Sequence, residues 1–245
     1  MRQWSGKRYW LVGASEGLGE ALARQMSAAG AELVISARNG ERLAAVAASL
    51  PGPARAVVVD VSDSASVSRA AEEAGPVDGV VYLAGVYWPM RAQDWRAKEA
   101  EQMCDINFTG CARVVGAVLP GMVARGRGHV VLTGSLSGFR GLPGAIGYAA
   151  SKAGVMALAE SMQADLRGSG ILVQLANPGF IKTRLTDKND FSMPFLMTAE
   201  EAAGAMMRHM ATDRFKVSFP TLFSWLFRLS QFLPDWAYYR VFAPK

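Results

Sequence analysis

Short apolar runs alternate with longer helical patterns along almost the whole chain. The runs are nearly continuous in Val, Ile and Leu, as expected of strands that are covered on both faces. Between them, alanine-rich segments place apolar residues at helical spacing. The predicted strands are residues 9–14, 32–37, 54–61, 79–85, 129–135, 171–177 and 216–219, and the predicted helices are residues 18–29, 41–50, 65–74, 97–125, 148–167 and 198–212.

This alternation of strands and helices predicts an α/β fold. Strands that are separated by helices need crossover connections, so they should run parallel in a doubly wound sheet of about seven strands, with helices on both faces. Along the 245 residues we see no low-complexity linker, no internal repeat and no change of composition. The sequence therefore predicts one Rossmann-like domain over residues 1–245.

Composition and charge narrow the function classes. The chain is 51% hydrophobic and 19% charged, which is enough for a substantial core and argues against disorder. The net charge of +5 favours anionic ligands, but no run of five basic residues occurs, which argues against nucleic acid.

Cys104 and Cys111 lack the spacing of a metal site or a disulfide framework, and His129 and His209 are isolated, so we expect no metal. The N-terminal apolar stretch is too short for a signal peptide, so we expect a cytoplasmic protein.

A glycine-rich turn joins the first predicted strand to the first predicted helix. It reads Val-Gly-Ala-Ser-Glu-Gly-Leu-Gly from residue 12. Glycine lets the backbone turn sharply and approach a pyrophosphate, and the helix N-terminus offers free N–H groups and the positive end of its dipole. A plain strand-to-helix turn is the alternative. The turn therefore predicts a dinucleotide site formed by Gly13, Ser15, Gly17, Leu18 and Gly19.

A second group of polar residues carries the predicted chemistry. Tyr148 and Lys152 share one face of a predicted helix, and Ser135 ends a predicted strand 13 residues before Tyr148. A phenol ionises near pH 10, which is too high for a good acid/base at neutral pH. A nearby ammonium stabilises the phenolate and lowers its pKa, so we expect Lys152 to make proton transfer by Tyr148 feasible. Ser135 can then hydrogen-bond the reacting oxygen.

The G-x-x-x-G-x-G turn, the Tyr-x-x-x-Lys pair and the upstream serine together resemble the classical short-chain dehydrogenase/reductase family. The resemblance covers residues 9–183. It implies that Ser135 polarises a carbonyl, Tyr148 passes the proton and Lys152 holds the nicotinamide ribose. It further implies that Asn107 helps to hold a water in the proton relay. The implied function is hydride transfer that interconverts a carbonyl and a secondary alcohol, and the alternative is a catalytically silent NADP-binding regulatory protein of the same fold.

The end of the second predicted strand bears on the choice of dinucleotide. Ala37 stands where the resemblance places the acid that binds the ribose hydroxyls of NAD, and Arg38 follows. A guanidinium can hold a phosphate through two hydrogen bonds, so we expect NADP(H) rather than NAD(H), although Glu16 should weaken the 2′-phosphate site. A surface role is the alternative for Arg38. The resemblance also assigns to the cofactor Asp60, Val61, Ala84, Gly85, Tyr148, Lys152, Pro178, Gly179, Ile181 and Thr183.

Three residues, at two places in the chain, depart from the family pattern. Val12 stands where relatives carry Thr, which removes a hydroxyl that would stabilise the turn. Tyr82 and Leu83 stand where relatives carry Asn-Asn before Ala-Gly, so the usual side-chain bracing of the central sheet is not expected from them. Both departures leave the backbone approach to the cofactor intact.

Residues 183–200 resemble the substrate lid of the family. The Met and Phe residues between Phe191 and Met197 would suit an apolar substrate, because thioether and aromatic groups adapt to irregular apolar shapes. Packing of this segment on the domain itself is the alternative.

Residues 220–245 form an apolar C-terminal extension. Pro220 and Pro234 bracket a segment that is too short to span a bilayer, and Asp235 is expected to cap a second helix. The extension could wall the substrate cleft, contact another subunit of a homodimer or homotetramer, or lie on a membrane surface. The sequence leaves these three roles open.

Overall fold

The computed structural model describes residues 3–188 and 192–243, and its seven strands form one parallel sheet. The strand order is β3-β2-β1-β4-β5-β6-β7, so the chain moves outward from β1 to β3 and then restarts on the other side of β1. A crevice opens at such a switch point, between the carboxyl ends of β1 and β4. The strands are β1 (Arg8–Val12), β2 (Glu32–Ala37), β3 (Ala54–Val58), β4 (Gly79–Tyr82), β5 (Gly128–Thr133), β6 (Ile171–Pro178) and β7 (Lys216–Phe219).

Helices cover both faces of the sheet. Side chains alternate along each strand, so Trp10 and Val12 join one buried cluster while Tyr9 and Leu11 join the other. Helices α1, α2 and α7 cover the face of Tyr9, and α3, α5 and α6 cover the face of Trp10. The helices are α1 (Gly17–Ala28), α2 (Gly40–Ser49), α3 (Ser64–Ala74), α4 (Ala97–Cys104), α5 (Gly110–Arg125), α6 (Ile146–Asp165), α7 (Ala199–Met210), α8 (Thr221–Ser230) and α9 (Asp235–Phe242).

The predicted doubly wound α/β fold is confirmed. Four predicted strands, at 9–14, 54–61, 79–85 and 129–135, extend two or three residues beyond the ends of β1, β3, β4 and β5. Their last residues leave the sheet and form loops at its carboxyl edge, where the site lies. The predicted helix over 97–125 is present as α4 and α5, joined without a break by a π-helical turn at Asp105–Thr109. Its length and apolar composition would also suit a membrane span, but α4 packs against α6, and α5 against α3 and β5.

The C-terminal extension consists of two short helices, α8 and α9. As expected, a turn that contains Pro234 separates them. The expectation that Asp235 caps the second helix is wrong, because Pro234 occupies the N-cap position and the Asp235 carboxylate is drawn to Arg140 at 2.5 Å. The Arg140 guanidinium also donates to the carbonyl oxygens of Ser230 and Leu233, so this one side chain fastens the turn to the domain.

Candidate active site

The glycine turn brings the backbones of the β1 and β4 loops into contact. Gly13 has a φ of +95°, and a Cβ added there would lie 2.4 Å from the backbone nitrogen of Ala84. A Cβ on Gly19 would lie 2.0 Å from the carbonyl oxygen of Gly13, so α1 can start this close to β1 only with glycine at that position. Two backbone N–H groups, of Leu83 and Ala84, donate to the carbonyl of Val12 and fix the two loops together. The turn is therefore built for close backbone approach.

A cavity of about 580 Å³ opens over this turn. All of the residues predicted to contact the cofactor line it, from the glycine turn to Thr183. The residues present fit a dinucleotide, because the glycines leave room at the N-terminus of α1 and the cavity continues to the end of β6. We refer to this cavity as the cofactor cleft.

A second cavity of about 930 Å³ adjoins the cofactor cleft, and Tyr148 lines both. Ser135 lines only this second cavity, whereas Lys152 lines only the cofactor cleft. The structure thus places Tyr148 at the boundary, with Ser135 on one side and Lys152 on the other. We refer to the second cavity as the substrate cleft.

The environments of Tyr148 and Lys152 oppose charge on both side chains. Burial raises the pKa of Tyr148 to about 12, and a hydrogen bond from the Ser135 hydroxyl lowers it only in part. Burial lowers the pKa of Lys152 to about 8. The Lys152 Nζ lies 5.7 Å from the centre of the Tyr148 ring and donates to the carbonyl oxygen of Thr133 at 2.9 Å. The expected lowering of the Tyr148 pKa by Lys152 is not seen in this structure, because burial of the phenol dominates and the one group that lowers the pKa is Ser135.

Asn107 lies in the π-helical turn and is fully buried. Its amide accepts from the backbone N–H of Val86 at 2.7 Å and donates to the carbonyl of the same residue and to the Ser151 hydroxyl. A Cβ on Gly85 would lie 3.3 Å from the Asn107 oxygen and 3.8 Å from the Lys152 Nζ. Asn107 therefore stands beside Lys152 and ties the end of β4 to α6. The predicted role of Asn107 in holding a relay water stays a prediction.

Three comparisons place this chain in a known family. The family described as short chain dehydrogenase matches residues 7–192. The chain belongs to that family. An uncharacterized oxidoreductase of Myxococcus xanthus is 37% identical over 242 residues, which is 96% of each chain. This short-chain dehydrogenase is an oxidoreductase that acts on CH–OH groups with NAD(P).

Solved relatives extend the likeness to the fold. A short-chain dehydrogenase from Sphingobium yanoikuyae, in complex with NADPH, is 27% identical with a TM-score of 0.81, and the match covers 88% of each chain. A short-chain dehydrogenase/reductase from Burkholderia phymatum, in complex with NAD, superimposes with a TM-score of 0.87 over 94% of each chain at 24% identity, which shows the shared fold alone. The two relatives hold different dinucleotides, so the choice between NAD and NADP depends on this chain's own residues.

The adenosine end of the cofactor cleft is rich in arginine. Arg38 lines it beside Asp60, and a hydrogen bond from the Ser62 hydroxyl, with help from the Arg38 charge, lowers the pKa of the Asp60 carboxyl. Glu16 forms ion pairs with Arg42 and, at 2.9 Å, with Arg184. The carboxylate that should weaken a 2′-phosphate site is therefore balanced by two guanidinium groups.

Tyr82 supplies a brace in this short-chain dehydrogenase that the sequence did not predict. Its buried hydroxyl donates to the carbonyl oxygen of Ile106 at 2.5 Å, which fastens β4 to the π-helical turn. Gly110 makes room for the ring, because a Cβ there would lie 2.7 Å from the Tyr82 oxygen. Burial raises the pKa of Tyr82 well above its usual value, so the phenol stays a hydrogen-bond donor.

The substrate cleft is walled mainly by apolar side chains. Phe223 and Phe227 contribute from α8, packed edge to face with 5.0 Å between ring centres, and Val241 and Phe242 contribute from α9. The C-terminal extension thus lines the second cavity, as the first of its three expected roles requires, and that role stays a prediction. Of the predicted lid, Leu185 and Thr186 line the cleft, and Met197 forms a bridge with Ile181, while Phe191 lies outside the described residues.

Sequence reasoning missed several residues that line the two clefts. Arg42 and Arg184 line the cofactor cleft from α2 and from the predicted lid. In the sequence, only the net charge of +5 indicated basic residues at an anion site. Tyr87 packs against Tyr148 with 5.1 Å between ring centres, and it lines the substrate cleft. In the sequence, only the position of Tyr87, three residues after the predicted cofactor contact Ala84, indicated that it lies near the site.

Proposed function

We propose that this chain is an NADP(H)-dependent oxidoreductase that uses Tyr148 as the general acid/base at a carbonyl or secondary alcohol. The observation that carries the proposal is the position of Tyr148 at the boundary of the two clefts. A group there can reach both a substrate oxygen and the nicotinamide end of the cofactor cleft. Ser135 and Lys152 flank it from the two sides, in agreement with the roles that the family pattern implies.

The protein's own residues would act as follows. Ser135 donates a hydrogen bond to the reacting oxygen, which holds the carbonyl against Tyr148 and stabilises the charge that develops on it. Tyr148, whose raised pKa keeps it a neutral phenol at pH 7, gives its proton to that oxygen. Lys152 holds the ribose of the dinucleotide at the cofactor side. When bound, the nicotinamide supplies or takes up the hydride.

We propose reduction as the working direction. In this direction Tyr148 starts as the neutral phenol, which is the form that burial favours, and gives its proton to the oxygen of the reduced carbonyl. The reduced state of cellular NADPH pools agrees with this direction.

The proposed preference for NADP(H) rests on the charges at the adenosine end. Arg38, Arg42 and Arg184 face Glu16 and Asp60 there, so one positive charge is in excess beside the place where a 2′-phosphate would lie. Ala37 has no carboxylate that would bind the ribose hydroxyls of NAD and repel a 2′-phosphate.

The proposed substrate is an apolar carbonyl compound. The aromatic and aliphatic wall of the substrate cleft would bury an apolar body, and the cavity of about 930 Å³ can hold a drug-sized molecule. Phe227→Ala should therefore weaken the binding of long aldehydes more than that of short ones, which a KM series over chain length would measure. The lid function of residues 183–200, assembly as a homodimer or homotetramer, and a cytoplasmic location are further parts of the proposal.

The experiment is a turnover assay, which follows loss of NADPH with a panel of aldehydes and ketones. Tyr148→Phe should lower the rate by about 10²–10⁴, because only the proton-donating hydroxyl is lost. NADPH binding, measured by titration, should stay nearly unchanged. Tyr239→Phe is the matched control, since Tyr239 is exposed and lines neither cleft. NADPH binding without turnover of any substrate would favour the silent regulatory protein.

A further inference from the structure

The outer surface of α8 and the turn after it expose a row of large apolar side chains. Four of them lie at helical spacing along one side of α8, and three more follow in the turn and in α9. Their exposed fractions range from 47% to 84%, although the opposite side of α8 is buried. We name this surface the tail face, and its members are Leu222, Trp225, Leu226, Leu229, Phe232, Trp236 and Tyr239.

Several large apolar side chains exposed together on one side of a helix indicate a surface that binds a partner. It is not needed to complete the core, because Phe223 and Phe227 already seal α8 against the substrate cleft. Arg140 holds the turn in place from below through Ser230 and Leu233. The tail face is therefore presented on a fixed scaffold.

The charges of the tail face identify the partner. Arg228 stacks on the Trp225 ring at 4.5 Å, and Arg240 lies exposed on α9. Within residues 3–188 and 192–243, neither forms an ion pair with a carboxylate. The single acid of these two helices, Asp235, is already paired with Arg140. The tail face thus combines apolar side chains with uncompensated positive charge.

We propose that the tail face docks this protein on the surface of a bilayer that contains anionic phospholipid. Trp and Tyr suit the interface between lipid tails and headgroups, and arginine attracts anionic headgroups. With ten residues, α8 is about 15 Å long, so it lies along the surface and does not cross the bilayer. A second copy of the same face would bring unpaired arginines together, so a symmetric dimer is the poorer occupant.

Docking would place the bilayer and the substrate cleft on opposite sides of one helix. Phe223 and Phe227 face the cleft, while Leu226 and Leu229 face outward. A carbonyl compound dissolved in lipid would then reach the cleft over a short path. This consequence rests on the proposed function, whereas docking itself does not.

The test is cosedimentation of the whole protein with vesicles, without substrate or dinucleotide. We expect binding to phosphatidylcholine vesicles that contain one third phosphatidylglycerol, with a blue shift of tryptophan emission. Leu226→Ser, Leu229→Ser and Phe232→Ser should each weaken partitioning about tenfold. Arg228→Gln should weaken it about fivefold on anionic vesicles and not on pure phosphatidylcholine. Val123→Ser is the control, because Val123 is equally exposed on α5 and outside the tail face.

Thermal unfolding of each variant shows whether the domain stays intact, and Phe232→Ser alone suffices if the others unfold, since Phe232 is 84% exposed. Absence of vesicle binding by the wild-type protein overturns the proposal, as does equal binding by the Phe232→Ser variant. A wild-type dimer that Phe232→Ser converts to monomers would assign the tail face to a second copy. A wild-type protein that binds vesicles but reduces no carbonyl compound with NADPH would instead count against the proposed function alone.

Discussion

Replacement of Arg38 by alanine should separate the affinities for NADPH and NADH. Arg38 lines the adenosine end of the cofactor cleft, near enough to Asp60 to help lower the pKa of that carboxyl. A guanidinium there can hold a 2′-phosphate, which only NADPH carries. The substitution removes that partner and leaves the glycine turn unchanged.

The magnitude follows from the hydrogen bonds that are lost. Hydrogen bonds to charged groups contribute about 1.5–3 kcal/mol, and each 1.4 kcal/mol is about tenfold in affinity. We therefore expect the Kd of NADPH to rise about ten- to a hundredfold. The Kd of NADH should change less than about threefold, because no phosphate is lost from its site.

Two variants of the neighbouring ion pairs serve as controls. Arg42→Ala should weaken NADPH less than Arg38→Ala does, because the Arg42 guanidinium is already engaged by Glu16. Glu16→Gln should strengthen NADPH binding by no more than about fivefold, since partly exposed ion pairs contribute only about 0–1 kcal/mol. The assay is titration of each variant with both dinucleotides, followed by calorimetry. Equal weakening of NADPH and NADH by Arg38→Ala would refute the assignment of the 2′-phosphate to this residue.

Three further predictions concern the scaffold of the site. Gly19→Ala should abolish dinucleotide binding and lower the melting temperature, because the added Cβ would lie 2.0 Å from the carbonyl oxygen of Gly13. Gly116→Ala is the control: it lies within α5, its Cβ would meet no atom within 4 Å, and it should raise the free energy of unfolding by up to about 1 kcal/mol. Tyr82→Phe should lower the free energy of unfolding by about 1–3 kcal/mol in urea titrations, since it orphans a buried carbonyl; an unchanged midpoint would contradict the brace. Burial lowers the pKa of Lys152 from 10.5 to about 8, so between those pH values the unfolded chain binds a proton that the folded one has released. The free energy of unfolding should therefore rise with pH across that window, and Lys152→Met should flatten the rise.

The parts of this fold that depend on local pattern were predictable. Strand and helix periods, the glycine turn and the four-residue spacing of Tyr148 and Lys152 are all written within short stretches of chain. The ends of β1, β3, β4 and β5 were less predictable, because the apolar pattern continues past the last paired residue into loops at the site. A run of apolar residues indicates buried positions, and buried positions extend beyond the part of a strand that pairs with its neighbours.

The parts that depend on distant partners were not predictable. Glu16 was expected to oppose a phosphate, yet Arg42 and Arg184 lie 26 and 168 residues further along the chain and meet it only after folding. Asp235 was expected to cap its helix, but its carboxylate forms an ion pair with Arg140, which lies in the loop before α6. In both cases the local rule was sound, and a charge from a remote segment outweighed it.

The pKa of Tyr148 shows the same conflict at the reacting group. The four-residue spacing brings an ammonium close to the phenol, which by itself lowers the pKa. The fold, however, buries both groups, and burial opposes the phenolate and the ammonium alike. Lys152 donates to the carbonyl of Thr133, and the side chain that lowers the pKa of the phenol is Ser135, on the substrate side. In the proposed mechanism, the phenol would therefore start neutral beside the substrate cleft, which is the protonation state that donation of a proton to a reduced carbonyl requires.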